Sequence, residues 1–161
     1  MTTLEQLATQ IGNELKKRNL KLVAAESCTG GGLSYWITYI AGSSDWFERG
    51  FVTYSNAAKI ELLGVNPTTL ERFGAVSEQT AREMAEGALQ HSRADISIAI
   101  TGIAGPSGGS HEKPVGTIWL AWATHNQTQT LTEIFSGDRA SIREKTIQCA
   151  LSELVKWLQI Q

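Results

Sequence analysis

Leu22-Val23-Ala24-Ala25-Glu26-Ser27-Cys28-Thr29-Gly30-Gly31-Gly32 is the stretch on which the fold turns. A short apolar run ends in a compact polar turn, and the turn leads into a segment with helical character, so the reading is strand, tight turn, helix. Such a turn leaves several backbone N–H groups at the helix start without partners. It also brings a hydroxyl and a thiol, Ser27 and Cys28, to a helix N-terminus, where negative charge is favoured. A nucleophile and an oxyanion-binding corner can both come from one loop of this kind. An ordinary capped connection has the same look, since Ser and Thr are common caps and glycines ease turns.

Working outward, the spacing predicts a helix over about 3–18, in which Leu4, Leu7, Ala8, Ile11 and Leu15 share one face. The strand over about 21–25 and the helix over about 30–40 follow, then a strand over about 49–54 and a helix over about 55–63. Gly64 stops that helix, and Asn66-Pro67 offers a cap and first-turn proline for a short helix ending near Gly74. Ser77 caps a longer helix to about residue 92. Asp95 to Thr101 reads as a buried strand, with Ile96, Ile98 and Ile100 on one face. After a glycine-rich loop from Gly102 to Pro114, strands over about 117–124 and 128–135 form a hairpin around His125-Asn126-Gln127. The first of these is apolar on both faces, with Ile118, Leu120 and Trp122 against Trp119, Ala121 and Ala123, so it should be internal. A helix over about 139–159 closes the chain. The alternation predicts a single domain over 1–161, built as a three-layer α/β/α sandwich on a mixed, mostly parallel sheet of about five strands.

Composition narrows the function classes. The chain has 161 residues and a formal net charge of −2, with both signs interspersed and no basic patch, which argues against nucleic acid as a partner. The N-terminal segment is amphipathic rather than a signal core, and no apolar run approaches membrane-spanning length, so no membrane partner is expected. Two cysteines, Cys28 and Cys149, are too few for a disulfide framework and fit a reducing, cytoplasmic setting. Cys149 falls on the apolar stripe of the last helix as a packing thiol. His91, His111 and His125 make no metal-ligand spacing, so no metal is expected.

Three loops lie at predicted strand ends, where sites collect in open α/β sheets. The first carries Ser27 and Cys28, and a serine hydroxyl needs a base to become a nucleophile. The second offers one: Tyr54 ends its strand, Ser55 caps the next helix, and Lys59 sits about one turn inside it. Helical side chains lean toward the N-terminus, so the Lys59 ammonium can reach the Tyr54 end, where a cation favours the phenolate. The third, Thr101-Gly102-Ile103-Ala104-Gly105-Pro106-Ser107-Gly108-Gly109, has glycines that let backbone N–H groups approach a phosphate, but it fits neither a P-loop nor a dinucleotide fingerprint. Thr101, Gly102 and Gly105 are its candidate contacts, with Lys113, Arg139 and Arg143 as candidate phosphate ligands. Asp138 can cap the helix that carries the two arginines. No carboxylate pair stands out: Asp45 and Glu48 flank Trp46-Phe47 at a surface turn, and Glu26 is expected in a salt bridge. Trp46-Phe47 is expected in the core or a subunit contact.

Taken together, Ala25-Glu26-Ser27-Cys28-Thr29-Gly30-Gly31, Ala41-Gly42-Ser43-Ser44, Gly50-Phe51-Val52-Thr53-Tyr54-Ser55-Asn56 through Lys59, and Gly74-Ala75-Val76-Ser77 form an ordered series. It continues with Thr101-Gly102-Ile103-Ala104-Gly105-Pro106, Lys113-Pro114-Val115-Gly116-Thr117 and Phe135-Ser136-Gly137-Asp138-Arg139. In these motifs the chain resembles the CinA C-terminal domain family, whose stand-alone members include nicotinamide mononucleotide deamidases. The resemblance covers essentially the whole chain and lacks the large N-terminal domain of full-length CinA proteins, which implies the free-standing form. It implies an α/β/α fold like anticodon-binding domains, a homo-oligomer, and no metal or organic cofactor. It also implies hydrolysis of the amide of nicotinamide mononucleotide to nicotinic acid mononucleotide and ammonia, recycling the pyridine nucleotide. By motif, Ser27 would be the nucleophile, Tyr54 and Lys59 its proton-handling partners, and the N–H groups of Thr29, Gly30 and Gly31 the oxyanion donors. Two alternatives stand beside it: Cys28 as the nucleophile, and a non-catalytic nucleotide-binding module of the competence or damage-inducible type.

Overall fold

Five strands form one sheet in the order β2-β1-β3-β4-β5 in a computed structural model that describes residues 1–160. The strands are β1 (Leu22–Glu26), β2 (Phe47–Val52), β3 (Ile96–Gly102), β4 (Thr117–Thr124) and β5 (Thr128–Ile134). β1 pairs in parallel with both β2 and β3, whereas β3–β4 and β4–β5 are antiparallel, so β4 alone runs against the others. All five residues of β1 are buried, as a central strand covered on both faces requires.

The two faces are packed differently. Leu22, Ala24, Ile96, Ile98, Ile100, Leu120 and Trp122 project into one core, which they share with α1 (Thr3–Arg18), α2 (Gly32–Thr38) and α6 (Arg139–Ile160). Val23, Ala25, Ala99, Ala121 and Ala123 project into the other, against α3 (Asn56–Leu63), α4 (Pro67–Phe73) and α5 (Glu78–Gln90). Small side chains on that face meet Ala81, Ala85 and Ala88, so α5 lies close on the sheet. On the other face Trp46 fills the space above α1. A Cβ on Gly12 would stand 2.7 Å from its indole, so the close approach requires glycine there.

The three-layer reading holds, with β4 internal as expected. The caps also fall where expected: Ser55, Asn66 and Ser77 each accept from an N–H of the helix that follows. Three expectations change. β2 starts and ends two residues early, because Leu22 N–H bonds Trp46 O and the pairing then runs from Phe47 until β1 stops at Glu26. Thr53 and Tyr54 therefore lie in the loop, and Glu48 lies on an edge strand beside Arg49 rather than at a turn. Trp46 is buried in the core, whereas Cys149 is only half-buried. No described helix is long and apolar enough to cross a membrane.

Candidate active site

The turn after β1 is built around Glu26. Its carboxylate is fully buried at the strand end, yet no cation pairs with it. Instead it accepts from Leu33 N–H (2.8 Å), Ser34 N–H (2.9 Å), the Ser34 hydroxyl (2.8 Å) and the Thr29 hydroxyl (2.6 Å). α2 begins after Gly31, whose φ of 98° needs glycine and which has no side-chain oxygen to offer. The cap is therefore supplied from the neighbouring strand, and the negative charge sits at the positive end of the helix. The expected salt bridge of Glu26 is thus replaced by a helix cap, which pins the intervening residues 27–31.

Ser27 leaves the sheet between its two parallel neighbours. Its N–H bonds Ile100 O (3.0 Å) on one side, while Glu26 O accepts from Thr53 N–H (2.8 Å) on the other. On α3, Lys59 extends back toward the helix start and is fully buried. Its Nζ lies 3.0 Å from each of three oxygens: Ser27 Oγ, Thr53 O and Tyr54 O. Burial holds the Lys59 ammonium below the usual lysine range. Three acceptors suit the three hydrogens of the charged form. A neutral amine fits the same cage, with its two hydrogens on the carbonyls and its lone pair facing the Ser27 hydroxyl. The site thus accommodates a lysine that takes up and returns one proton.

Tyr54 meets Lys59 through its main-chain carbonyl, not its phenol. The phenol is exposed and its oxygen lies 3.3 Å from Arg139 Nη2, so the expected ammonium–phenol contact is absent. The physical cause is the early end of β2, which puts the carbonyl of residue 54 over α3 and turns the side chain outward. Cys28, beside Ser27, is buried, and burial pushes its thiol up to about 12, with the Arg143 charge opposing only in part. That environment suits a packing thiol and disfavours a thiolate nucleophile.

Ser27, Cys28, Tyr54 and Lys59 open into a cleft of about 310 Å³ that the third loop completes with Thr101, Gly102, Gly105, Ser107 and Gly108. Thr101 donates to Ala75 O (2.8 Å), fixing that wall. Arg139, the first residue of α6, lines the cleft and donates to Gly105 O (2.7 Å). Other expected ligands lie elsewhere. Lys113 donates to Phe73 O (2.7 Å) at the end of α4 and lines a separate groove with Phe73 and Trp119, because its loop folds back over α4. Arg143 donates to Thr29 O (3.1 Å), behind the turn rather than in the cleft. Of the turn amides, Gly30 N–H is taken by Ser27 O (3.0 Å), while those of Cys28, Thr29 and Gly31 have no acceptor among the described residues; the expected donors Thr29, Gly30 and Gly31 lie outside the cleft lining, which Cys28 joins. Asn56, Ala75 and Val76 also line the cleft, though the residues alone did not single them out. Among the described residues no cluster of His, Cys, Asp and Glu could hold a metal ion.

Fold and site together define an α/β/α protein with a buried serine–lysine pair at the open end of a mixed sheet. The chain belongs to the CinA C-terminal domain family, whose model matches residues 4–158. It is 54% identical over 157 residues to the nicotinamide-nucleotide amidohydrolase PncC of Escherichia coli (strain K12), covering 97% of this chain and 94% of that protein. Against the protein of the same name from Pseudomonas putida it is 44% identical over 156 residues, covering 97% and 98%. A crystal structure of the competence/damage inducible protein CihA from Agrobacterium tumefaciens matches the fold with a TM-score of 0.95 at 46% identity, covering 99% of this chain and 97% of that one.

Proposed function

We propose that this chain is an amidohydrolase that converts nicotinamide mononucleotide to nicotinic acid mononucleotide and ammonia, with Ser27 as nucleophile and Lys59 as its base. The observation that carries the reading is the 3.0 Å contact between a buried amine and a buried hydroxyl at the floor of a cleft. Relatives named for this amidohydrolase activity supply the substrate class.

The steps follow from the geometry. Neutral Lys59 takes the Ser27 proton as Oγ bonds the carboxamide carbon, and the carbonyl oxygen becomes an oxyanion. Of the turn amides, the Cys28 N–H belongs to a residue that lines the cleft and is the donor offered to it, a contribution of about 3–4 kcal/mol in well-placed cases. The C–N bond then breaks, and Lys59 returns its proton to the leaving nitrogen, giving ammonia and a Ser27 ester. Water attacks the ester with Lys59 again as base, and the proton goes back to Ser27 Oγ as the acid leaves. The Thr53 and Tyr54 carbonyls hold the amine in line throughout. Arg139 is the cleft's candidate partner for the phosphate, once its guanidinium exchanges Gly105 O for a stronger anionic acceptor. The proposal extends to a single-domain, cytoplasmic homo-oligomer acting in pyridine nucleotide recycling without a metal or organic cofactor.

Ammonia release from nicotinamide mononucleotide by wild type, Ser27→Ala and Cys28→Ala tests this. Loss in Ser27→Ala with activity kept in Cys28→Ala is expected. The reverse pattern moves the nucleophile to Cys28, and an inactive wild type favours the nucleotide-binding module.

A further inference from the structure

The cleft has a peculiar balance of charge for the substrate proposed above. Its lining includes two basic side chains, Lys59 and Arg139, and no carboxylate. A nicotinamide nucleotide brings a negative phosphate, which suits that balance, and a positively charged pyridinium ring, which does not. Within the lining, the group able to meet a cation favourably is an aromatic face, and Tyr54 is the one aromatic residue there.

Its placement fits the task. The backbone of Tyr54 is fixed at the reacting centre, since its carbonyl lies 3.0 Å from Lys59 Nζ. The ring rooted there lines the same cleft as Ser27 and Lys59. The phenolic oxygen is tied to Arg139 at 3.3 Å, and Arg139 is anchored in turn to Gly105 O at 2.7 Å. This tether holds the rim of the ring and leaves the side chain 62% exposed at the cleft. By contrast, the phenol's hydrogen bond runs to Arg139, while the amine on the Ser27 hydroxyl at 3.0 Å is that of Lys59.

Resting on the amidohydrolase reading, we propose that Tyr54 is a specificity-determining platform for the cationic pyridinium ring, and that proton transfer belongs to Lys59 alone. Tyr54→Phe keeps the ring but loses the Arg139 bond, so KM should rise about 2- to 5-fold. Tyr54→Leu removes the ring, so KM should rise about 3- to 30-fold, with kcat within about 3-fold of wild type. Phe therefore rescues most of what Leu loses.

Steady-state kinetics with nicotinamide mononucleotide supply those values, and inhibition by the reduced nucleotide, whose dihydropyridine ring is uncharged, isolates the cation. The Leu penalty should be larger for the charged ring than for the uncharged one. A roughly 100-fold or greater fall in kcat for Tyr54→Phe would overturn the proposal in favour of a proton-handling phenol. So would an unchanged KM in Tyr54→Leu, or equal penalties for the two rings. Failure of the amidohydrolase reading shows separately, as a wild type that releases no ammonia.

Discussion

The two ends of the sheet both carry hollows, and only the smaller has a buried lysine among its lining residues. At the far end, where β4 turns into β5, a groove of about 420 Å³ is lined by Arg82, Glu86, Gln90 and the His125–Thr128 turn. Its polar groups have partners within or beside it: Thr128 donates to Glu86 (2.8 Å), Arg82 pairs with Glu78 (3.4 Å), and the His125 ring contacts Ala94 O (3.3 Å). The cleft at the other end is smaller, at about 310 Å³, but its floor is a buried lysine on a buried serine. Taking an ammonium out of water is unfavourable, and no carboxylate offsets it there. The contrast teaches that the candidate site is marked by a titratable group held where burial opposes its charge, rather than by room for a ligand.

Replacing the lysine should break the contrast most severely. Lys59→Met should lower kcat about 10²- to 10⁴-fold, and Lys59→Arg should not rescue it, because a guanidinium stays protonated. Wild-type kcat/KM against pH should fall toward acid as Lys59 gains its proton, with that limb below the ordinary lysine value of 10.5. A limb at or above 10.5, or one that survives in Lys59→Met, would remove Lys59 as the base.

Next in size is the cap beside Ser27. Glu26→Gln exchanges an acceptor for a donor among four donors, two of them fully buried, and should cost about 1–3 kcal/mol in urea unfolding. An unchanged midpoint would mean that the turn holds its shape without the carboxylate.

Cys28 gives a smaller effect with a definite sign. Its folded-state value is raised from 9.0 to about 12, so the folded protein holds a proton that the unfolded chain releases. Relative to Cys28→Ala, wild type should lose stability as pH rises from about 9 toward 12, and show no such difference in slope below that window. Matching slopes in chemical denaturation across the window would contradict a protonated, buried thiol.

The smallest effect belongs to the far groove. Glu86→Gln should leave kcat/KM within about 2-fold of wild type and stability within about 0.5 kcal/mol. A large fall in turnover would shift attention to that end of the sheet.

The layers and helix caps were legible because they depend on local chemistry: periodicity for β3, β4 and α5, and single oxygens at Ser55, Asn66 and Ser77. The register of β2 was not, since its start is set by pairing with Leu22 rather than by its own residues. That slip of two residues is also why Tyr54 was read as offering a phenol to Lys59 when it offers a carbonyl. The closeness of Lys59 to Ser27 could be anticipated from the backward lean of helical side chains. Lys113 and Arg143 could not be placed, because long side chains follow the fold of distant loops, to Phe73 O in one case and Thr29 O in the other. Glu26 carried a signal that was passed over: a helix starting after three glycines has no oxygen of its own, so a buried acid just before them is a candidate cap.

The Ser27 amide, bonded to Ile100 O on the strand beside it, ties the proposed nucleophile to the most enclosed part of the backbone. Such amides exchange their hydrogens with solvent only through the largest opening motions, whereas frayed loops exchange freely. Heat or denaturant should then leave Ser27 in place until the central strands separate. Catalytic competence would disappear in the same cooperative step as the sheet itself, so residual turnover doubles as a count of molecules still folded.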